Sequence, residues 1–329
     1  METLKEPLQV LLESRKYNAD YIPNKDQILW SIQSKTIATN SNFVILTGLP
    51  KTGKSTFLSA LISTVFTADD LWGMKLHLPA ERRKIAYFDT ESSDYDFYRQ
   101  VERIKKFACI NGIPDWCSLY TFREDEPKDI LAMVEYYLAS SNAPIVIIDG
   151  ILDTILDFND PIESKKLINW FKRVTKVYDC CIIGVLHQGK GQAGSTLGHL
   201  GSNTDRYAQS TIEIVKDKEK QTYTMSPRFL RSSEDFEPIT LINNGGEWQQ
   251  ISIYGNETNE TKEPIKKKTE LSDRDTLHRS LYAPKTYKQL VSDLQEITGK
   301  GVSASKGVVK EWIEKNWIHK ENELYKIKN

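Results

Sequence analysis

Cysteine is scarce in this chain, with four in 329 residues, at Cys109, Cys117, Cys180 and Cys181. No two of them form a C-x-x-C pair and no histidine stands at zinc-ligand spacing, so neither a cysteine-based metal site nor a disulfide framework is expected. Cys180 and Cys181 open an apolar run and read as small buried hydrophobes. Long apolar stretches are also missing. The longest, at residues 144–148 and 180–186, are strand-sized, and residues 1–6 hold no signal-peptide apolar region. A cytoplasmic protein is the expectation. There is no internal repeat and no low-complexity tract, and the net charge is only −1. A composition of 39% hydrophobic and 27% charged residues excludes a disordered chain, and the length favours one large core plus a smaller module.

The small net charge hides an asymmetry. Residues 261–329 carry 15 Lys and Arg against 10 Asp and Glu, which leaves 29 of the 44 basic and 35 of the 45 acidic side chains for the rest. A basic tail of this size is compatible with a nucleic-acid contact, and equally with a solvated helical face.

Periodicity divides the chain. Residues 1–40 read as an N-terminal helical segment with amphipathic patterns at 4–14 and 26–33. Residues 41–254 then alternate short apolar strands (43–46, 84–88, 118–121, 144–148, 181–186) with helical patterns (55–65, 95–107, 127–139, 162–178), the signature of a parallel sheet covered on both faces. Asp160 followed by Pro161 and Glu163 reads as a helix N-cap. Between residues 210 and 253 short alternating segments predict antiparallel strands that finish the sheet. Residues 255–270 are almost wholly polar and form the expected linker. Beyond it, helical patterns at 273–281, 287–297 and 304–316 precede two short strands, the layout of a winged helix over 271–329, with 304–316 in the recognition position. On that helix Lys306 and Lys310 share a face, with Ser303 and Ser305 near its start for phosphate contact; Trp312, Ile313 and Trp317 could instead dock the module on protein.

The chemistry begins at Gly48, Leu49, Pro50, Lys51, Thr52, Gly53, Lys54, Ser55 and Thr56, which match G-x-x-x-x-G-K-[ST] directly after an apolar strand and at the start of a helix. Such a loop wraps phosphates with backbone N–H groups, Lys54 bridges the β- and γ-phosphates of ATP, and Ser55 offers its hydroxyl to Mg²⁺. A second metal-holding acid is needed at another strand end, and Asp149 follows four apolar residues. The residue after it is Gly150, where AAA+ ATPases usually carry the water-activating Glu, so that group has to come from elsewhere. His187 and Gln188, at an abrupt apolar-to-polar strand end, are sensor candidates or plain hydrogen-bonded strand-end residues. The glycine-rich stretch 189–206 reads as a mobile functional loop.

The strand ending in Asp89 and Glu91 resembles RecA-like ATPases and ring helicases, in which a Glu at that place polarises water. The resemblance makes Glu91 the general base, with Asp89 as the alternative. Together with Gly198 and Gly201, these motifs look like the RepA-like branch of RecA-fold ATPases encoded on bacterial plasmids and mobile elements, over about residues 28–253. That resemblance implies an α/β RecA-like P-loop core and a homo-oligomer, a hexameric ring with ATP between subunits and single-stranded DNA in its channel. It further implies an arginine finger delivered in trans, for which Arg206, Arg228 and Arg231 are available, Arg206 first. Three functions remain open: a helicase or translocase, a non-unwinding DNA-binding ATPase switch that contacts duplex through the tail, and an ATPase whose tail binds protein.

Overall fold

The computed structural model describes residues 5–18, 20, 22, 25–189, 198–251, 285–298, 301–315, 317–321 and 323–327. The chain divides into two compact units, Met1–Gly255 and Asn256–Asn329.

In the first unit the expected α/β fold is present. Helix α1 (Lys5–Glu13) precedes strands β1 (Ile28–Ile32), β2 (Lys35–Thr39) and β3 (Asn42–Gly48). Then come α2 (Lys54–Ser63), β4 (Met74–Leu76), β5 (Ile85–Asp89), α3 (Asp94–Ala108), β6 (Cys117–Thr121), α4 (Pro127–Ser141) and β7 (Ile145–Asp149). After these follow α5 (Pro161–Val177), β8 (Cys181–His187), α6 (Gly198–Tyr207), β9 (Ser210–Asp217), β10 (Thr222–Leu230), β11 (Ile239–Asn244) and β12 (Glu247–Ile251). Among the described residues nine strands make the central sheet, in the order β12-β11-β10-β9-β3-β8-β7-β5-β6. β9, β3, β8, β7, β5 and β6 run parallel, and β10 to β12 are antiparallel.

Continuous apolar runs form these central strands because both faces are covered, and the period of two sorts their residues between two cores. Val44, Leu46, Ile85, Tyr87, Ile145, Ile147, Ile183 and Val185 face the layer that contains α2 and α3. Phe43, Ile45, Ala86, Phe88, Val146, Ile148, Ile182 and Leu186 face α4 and α5. Cys117, Cys180 and Cys181 are buried and Cys109 is exposed, all as free thiols; burial pushes Cys117 and Cys180 up to about 12.

Two expectations need correction. Residues 26–33 are not a helix: Ile28–Ile32 is β1, paired with β2 and β4 in a separate three-stranded sheet that buries Leu29, Trp30 and Ile32. Ile28, Leu29 and Ile32 have helical spacing, but Gln33 and Ser34 both adopt positive φ (48° and 65°) and make the tight turn into β2 without the Asn-Gly or Asp-Gly that usually marks one. The helix expected at 4–14 is present as α1, but residues 28–39 contribute strands to the first unit, so residues 1–40 are not helical throughout. The glycine-rich stretch is not a loop throughout, since Gly198–Tyr207 is α6, held by a buried stripe of Leu200, Gly201 and Thr204. Residues 190–197 lie outside the described set. The antiparallel strands expected between 210 and 253 include β10, which continues through residues 226–230, past a bulge at Pro227, so Arg228 belongs to a strand. The N-cap reading holds: Asp160 accepts from the Ile162 N–H at 2.7 Å, with Pro161 behind it.

In the second unit, α7 (Tyr287–Thr298) and α8 (Val302–Glu314) pack with a hairpin of β13 (Ile318–Glu321) and β14 (Leu324–Ile327). Its core is Leu290, Val291, Leu294, Val309, Trp312 and Ile318. Trp312 is therefore a core residue rather than a docking surface, and Ser305 is buried and cannot meet a phosphate. Lys306 and Lys310 are exposed, with Lys310 3.8 Å from Glu314. The expected linker at 255–270 and helix at 273–281 lie outside the described residues.

Candidate active site

Parallel register brings the strand ends into one line. Gly48 of β3 pairs with His187 of β8, and Asp89 of β5 pairs with Asp149 of β7. Over this edge opens a cavity of about 450 Å³ lined by the phosphate-loop residues Pro50, Lys51, Gly53, Lys54, Ser55 and Thr56, by Asp89, Glu91, Ser92, Asp149 and His187, and by Arg103, Tyr223 and Trp248. The C-terminal edge of an open α/β sheet is where ligands gather.

Gly53 sits at the N-cap of α2 with φ 91°, and no side chain caps the helix. A side chain there would strain this positive-φ backbone and bring a Cβ to 3.0 Å from the Tyr223 ring, which would have to give way. The uncapped N-terminus directs its free N–H groups and positive dipole end at the cavity, an anion site by construction. Lys54 Nζ donates to the carbonyls of Gly48 (3.0 Å) and Leu49 (2.9 Å), and stands 3.1 Å from His187 Nδ1. Burial lowers the Lys54 pKa, against the opposing pull of Asp149 and Glu91.

An ammonium group can only donate, so His187 Nδ1 is the acceptor and its proton lies on Nε2. That Nε2 is 2.8 and 3.0 Å from the two carboxylate oxygens of Glu91. The hydrogen bond from His187 holds Glu91 below the usual carboxylate range, outweighing its partial burial, with the Lys54 charge adding to the effect. Lys54, His187 and Glu91 form one chain along the cavity wall.

Behind it lies an acid pair. The Tyr87 hydroxyl stands 2.8 Å from Asp149 Oδ2 and 3.1 Å from Asp89 Oδ2, and it accepts from Gln100 Nε2 at 2.6 Å. Asp89 is committed to local structure: its Oδ1 accepts the backbone N–H groups of Glu91 (3.0 Å) and Ser92 (2.7 Å), which shapes the turn that carries Glu91. Burial, reinforced by the Asp89 charge, pushes Asp149 up to about 7 even though Tyr87 donates to it. Gly150 explains why no acid follows Asp149. Its φ is 109°, and a Cβ there would fall 2.2 Å from Thr90 Oγ1.

The remaining candidates stand elsewhere. Gln188 is buried and its amide donates to Glu213 of β9, so it is not in the cavity wall. Arg228 pairs with Asp205 (3.2 Å) and lies 3.9 Å from Glu213. Arg231 donates to the Arg206 carbonyl, and the Arg206 side chain is exposed on α6. Six site residues escape a motif reading: Tyr87, Ser92, Gln100, Arg103, Tyr223 and Trp248. Tyr87 carried a usable signal, since it lies two positions before Asp89 and so shares its face. Gln100, Arg103, Tyr223 and Trp248 depend on how α3, β10 and β12 pack.

The donor set suits a nucleotide that brings its own cation. Ser55 and Asp149 are hard oxygen donors beside an anion-binding loop, the pattern of a Mg²⁺ site completed by phosphate oxygens and water. Among the described residues no group of three or more His, Cys, Asp or Glu is gathered to hold a metal, and no helix is long and apolar enough to cross a membrane.

Residues 30–193 match the family model described as AAA domain, a likeness that supports a nucleotide-hydrolysing P-loop ATPase over this segment. No curated protein matches the chain in sequence.

Proposed function

We propose that this P-loop ATPase hydrolyses ATP with Mg²⁺ and couples the hydrolysis to DNA, as a RepA-like helicase or translocase working as a homo-oligomer. The observation that carries the hydrolytic part is the unbroken chain Lys54–His187–Glu91 beside Asp149 on one cavity wall. Lys54 contacts the β- and γ-phosphates, and the phosphate-loop N–H groups hold the rest of the chain of phosphates. Ser55 and Asp149 would hold a Mg²⁺ ion, which would supply neutralisation of the phosphate charge. Glu91, kept ionised, accepts a proton from the attacking water, while His187 holds the Glu91 carboxylate in place and senses the γ-phosphate. Gln188 reports on this site through Glu213 to β9. Arg206, exposed on α6, is the arginine we assign to a neighbouring protomer's site.

The DNA part rests on the resemblance to RepA-like ATPases and on the exposed pair Lys306 and Lys310 of a module we read as a winged helix. Single-stranded DNA in a ring, hexameric in this reading, would be its substrate, with duplex contact through the module. The burial of Ser305 removes one proposed phosphate contact and favours, as a second reading, a module that binds protein, with Val302 and Ile313 exposed on α8. ATP turnover measured with and without single-stranded DNA, beside strand displacement and oligomer mass with a nonhydrolysable ATP analogue, separates these readings. Stimulation with ring assembly supports the motor. Stimulation without displacement supports a DNA-bound switch, and no stimulation by any DNA removes the DNA reading.

A further inference from the structure

We infer that Arg103 is a phosphate-contacting residue supplied in cis, binding the terminal phosphate of a nucleoside triphosphate; the inference rests on the reading of the cavity as a nucleotide site. Arg103 lies on α3 and lines the cavity together with Ser55, Thr56, Asp89 and Glu91. It is only partly exposed, and no hydrogen bond or ion pair joins it to any described residue. It shares the cavity with the carboxylates of Asp89, Glu91 and Asp149 but is paired with none of them, and a half-buried guanidinium gains most from a planar anionic partner.

Its position is held from both sides. Gln100, one turn earlier, is buried and donates to the Tyr87 hydroxyl between Asp89 and Asp149. Ile104, the next residue, is fully buried in the core under α2 and α3. With both neighbours fixed, α3 cannot turn Arg103 out of the cavity wall. Burial, with the like charge of Arg99 one turn away, disfavours the cation, and Tyr87 pulls the other way. The other arginines near the sheet edge are engaged or point elsewhere: Arg228 is paired with Asp205, Arg231 is tied to the Arg206 carbonyl, and Arg206 is exposed on α6. Among the described residues lining the cavity, Arg103 is thus the cation, besides Lys54 and Lys51, that shares it with Glu91. A guanidinium there can take two oxygens of a terminal phosphate, so it distinguishes triphosphate from diphosphate.

The test compares binding of a nonhydrolysable ATP analogue and of ADP, each with Mg²⁺, by calorimetry on the full chain and on R103A, R103K and R99A. The expected result for R103A is affinity for the triphosphate analogue lower by about tenfold or more, with ADP affinity changed less than about twofold and the nucleotide-free melting temperature unmoved. R103K should recover part of the loss, and R99A, an exposed neighbour, should bind like the wild type. Equal losses for both nucleotides, or a lowered melting temperature in R103A and R103K alike, would make Arg103 structural and overturn the inference, as would wild-type binding by R103A. Failure of the wild-type chain to bind either nucleotide would instead overturn the nucleotide-site reading, and the role of Arg103 with it.

Discussion

Replacing Asp149 with Asn tests the electrostatics of the site independently of any turnover. Burial and the Asp89 charge raise Asp149 from its ordinary 3.8 to about 7. An acid whose pKa is raised by folding binds its proton more tightly in the folded state, so this group contributes most stability below about 3.8. That contribution is lost as pH rises towards about 7 and stays lost above it. At about 1.4 kcal/mol per pH decade, the folded protein above pH 7 carries up to about 4 kcal/mol of unrelieved charge burial at this one residue. Asn removes the charge but weakens the hydrogen bond from Tyr87, a loss of about 1 kcal/mol, so the net gain is about 2–3 kcal/mol at pH 8 and near zero at pH 4. For a unit of this size that is roughly 4–10 °C in melting temperature. Thermal unfolding of wild type and Asp149→Asn, without magnesium, across pH 4.5–8.5 should show curves that diverge with rising pH. A variant less stable than wild type by the same margin at every pH would mean that Asp149 bears no cost of charge burial.

Three further outcomes follow from named contacts. Glu91→Gln should retain nucleotide binding and hydrolyse roughly a hundredfold or more slowly; if Asp89→Asn behaved that way and Glu91→Gln did not, the base assignment would move to Asp89. Gly150→Ala should lower stability by about 2 kcal/mol or more in chemical denaturation, since its Cβ would meet Thr90 Oγ1 at 2.2 Å from a positive-φ backbone, and a neutral result would contradict the local geometry. Mixed oligomers of Arg206→Ala with Lys54→Ala protomers should regain ATPase activity if Arg206 acts in trans, whereas verified mixing without recovery would pass that role to Arg228 or Arg231.

Much of this site is legible in the sequence because its signals are local. A strand that must be apolar on both faces, a phosphate loop directly after it and an acid at the end of Ile145–Asp149 all declare themselves within a few residues. Gly150 was readable in the same way, since a glycine where an acid is common points to a backbone that excludes a side chain. What stayed hidden depends on packing between distant segments. β1 read as a helix because Ile28, Leu29 and Ile32 fit both periods, and only its partners β2 and β4 decide between them. α6 was masked by low-propensity residues, Gly198 and Gly201, whose helix is held against the core by Leu200 and Thr204. Arg103 and Trp248 carry no motif, and reach the cavity only because α3 and β12 lie where they do. Gln188 shows the converse: its place in the strand was plain, but its side chain turns to Glu213.

In the proposed mechanism Lys54, set in the loop between Gly48 and Thr56, binds the phosphates of ATP for hydrolysis. Calorimetric binding of a nonhydrolysable ATP analogue with Mg²⁺, paired with single-turnover hydrolysis of radiolabelled ATP, should show saturable binding and phosphate release for the wild type. Lys54→Ala should lose both while keeping the wild-type melting temperature within a few degrees. Wild-type binding and hydrolysis by Lys54→Ala would contradict the claim outright.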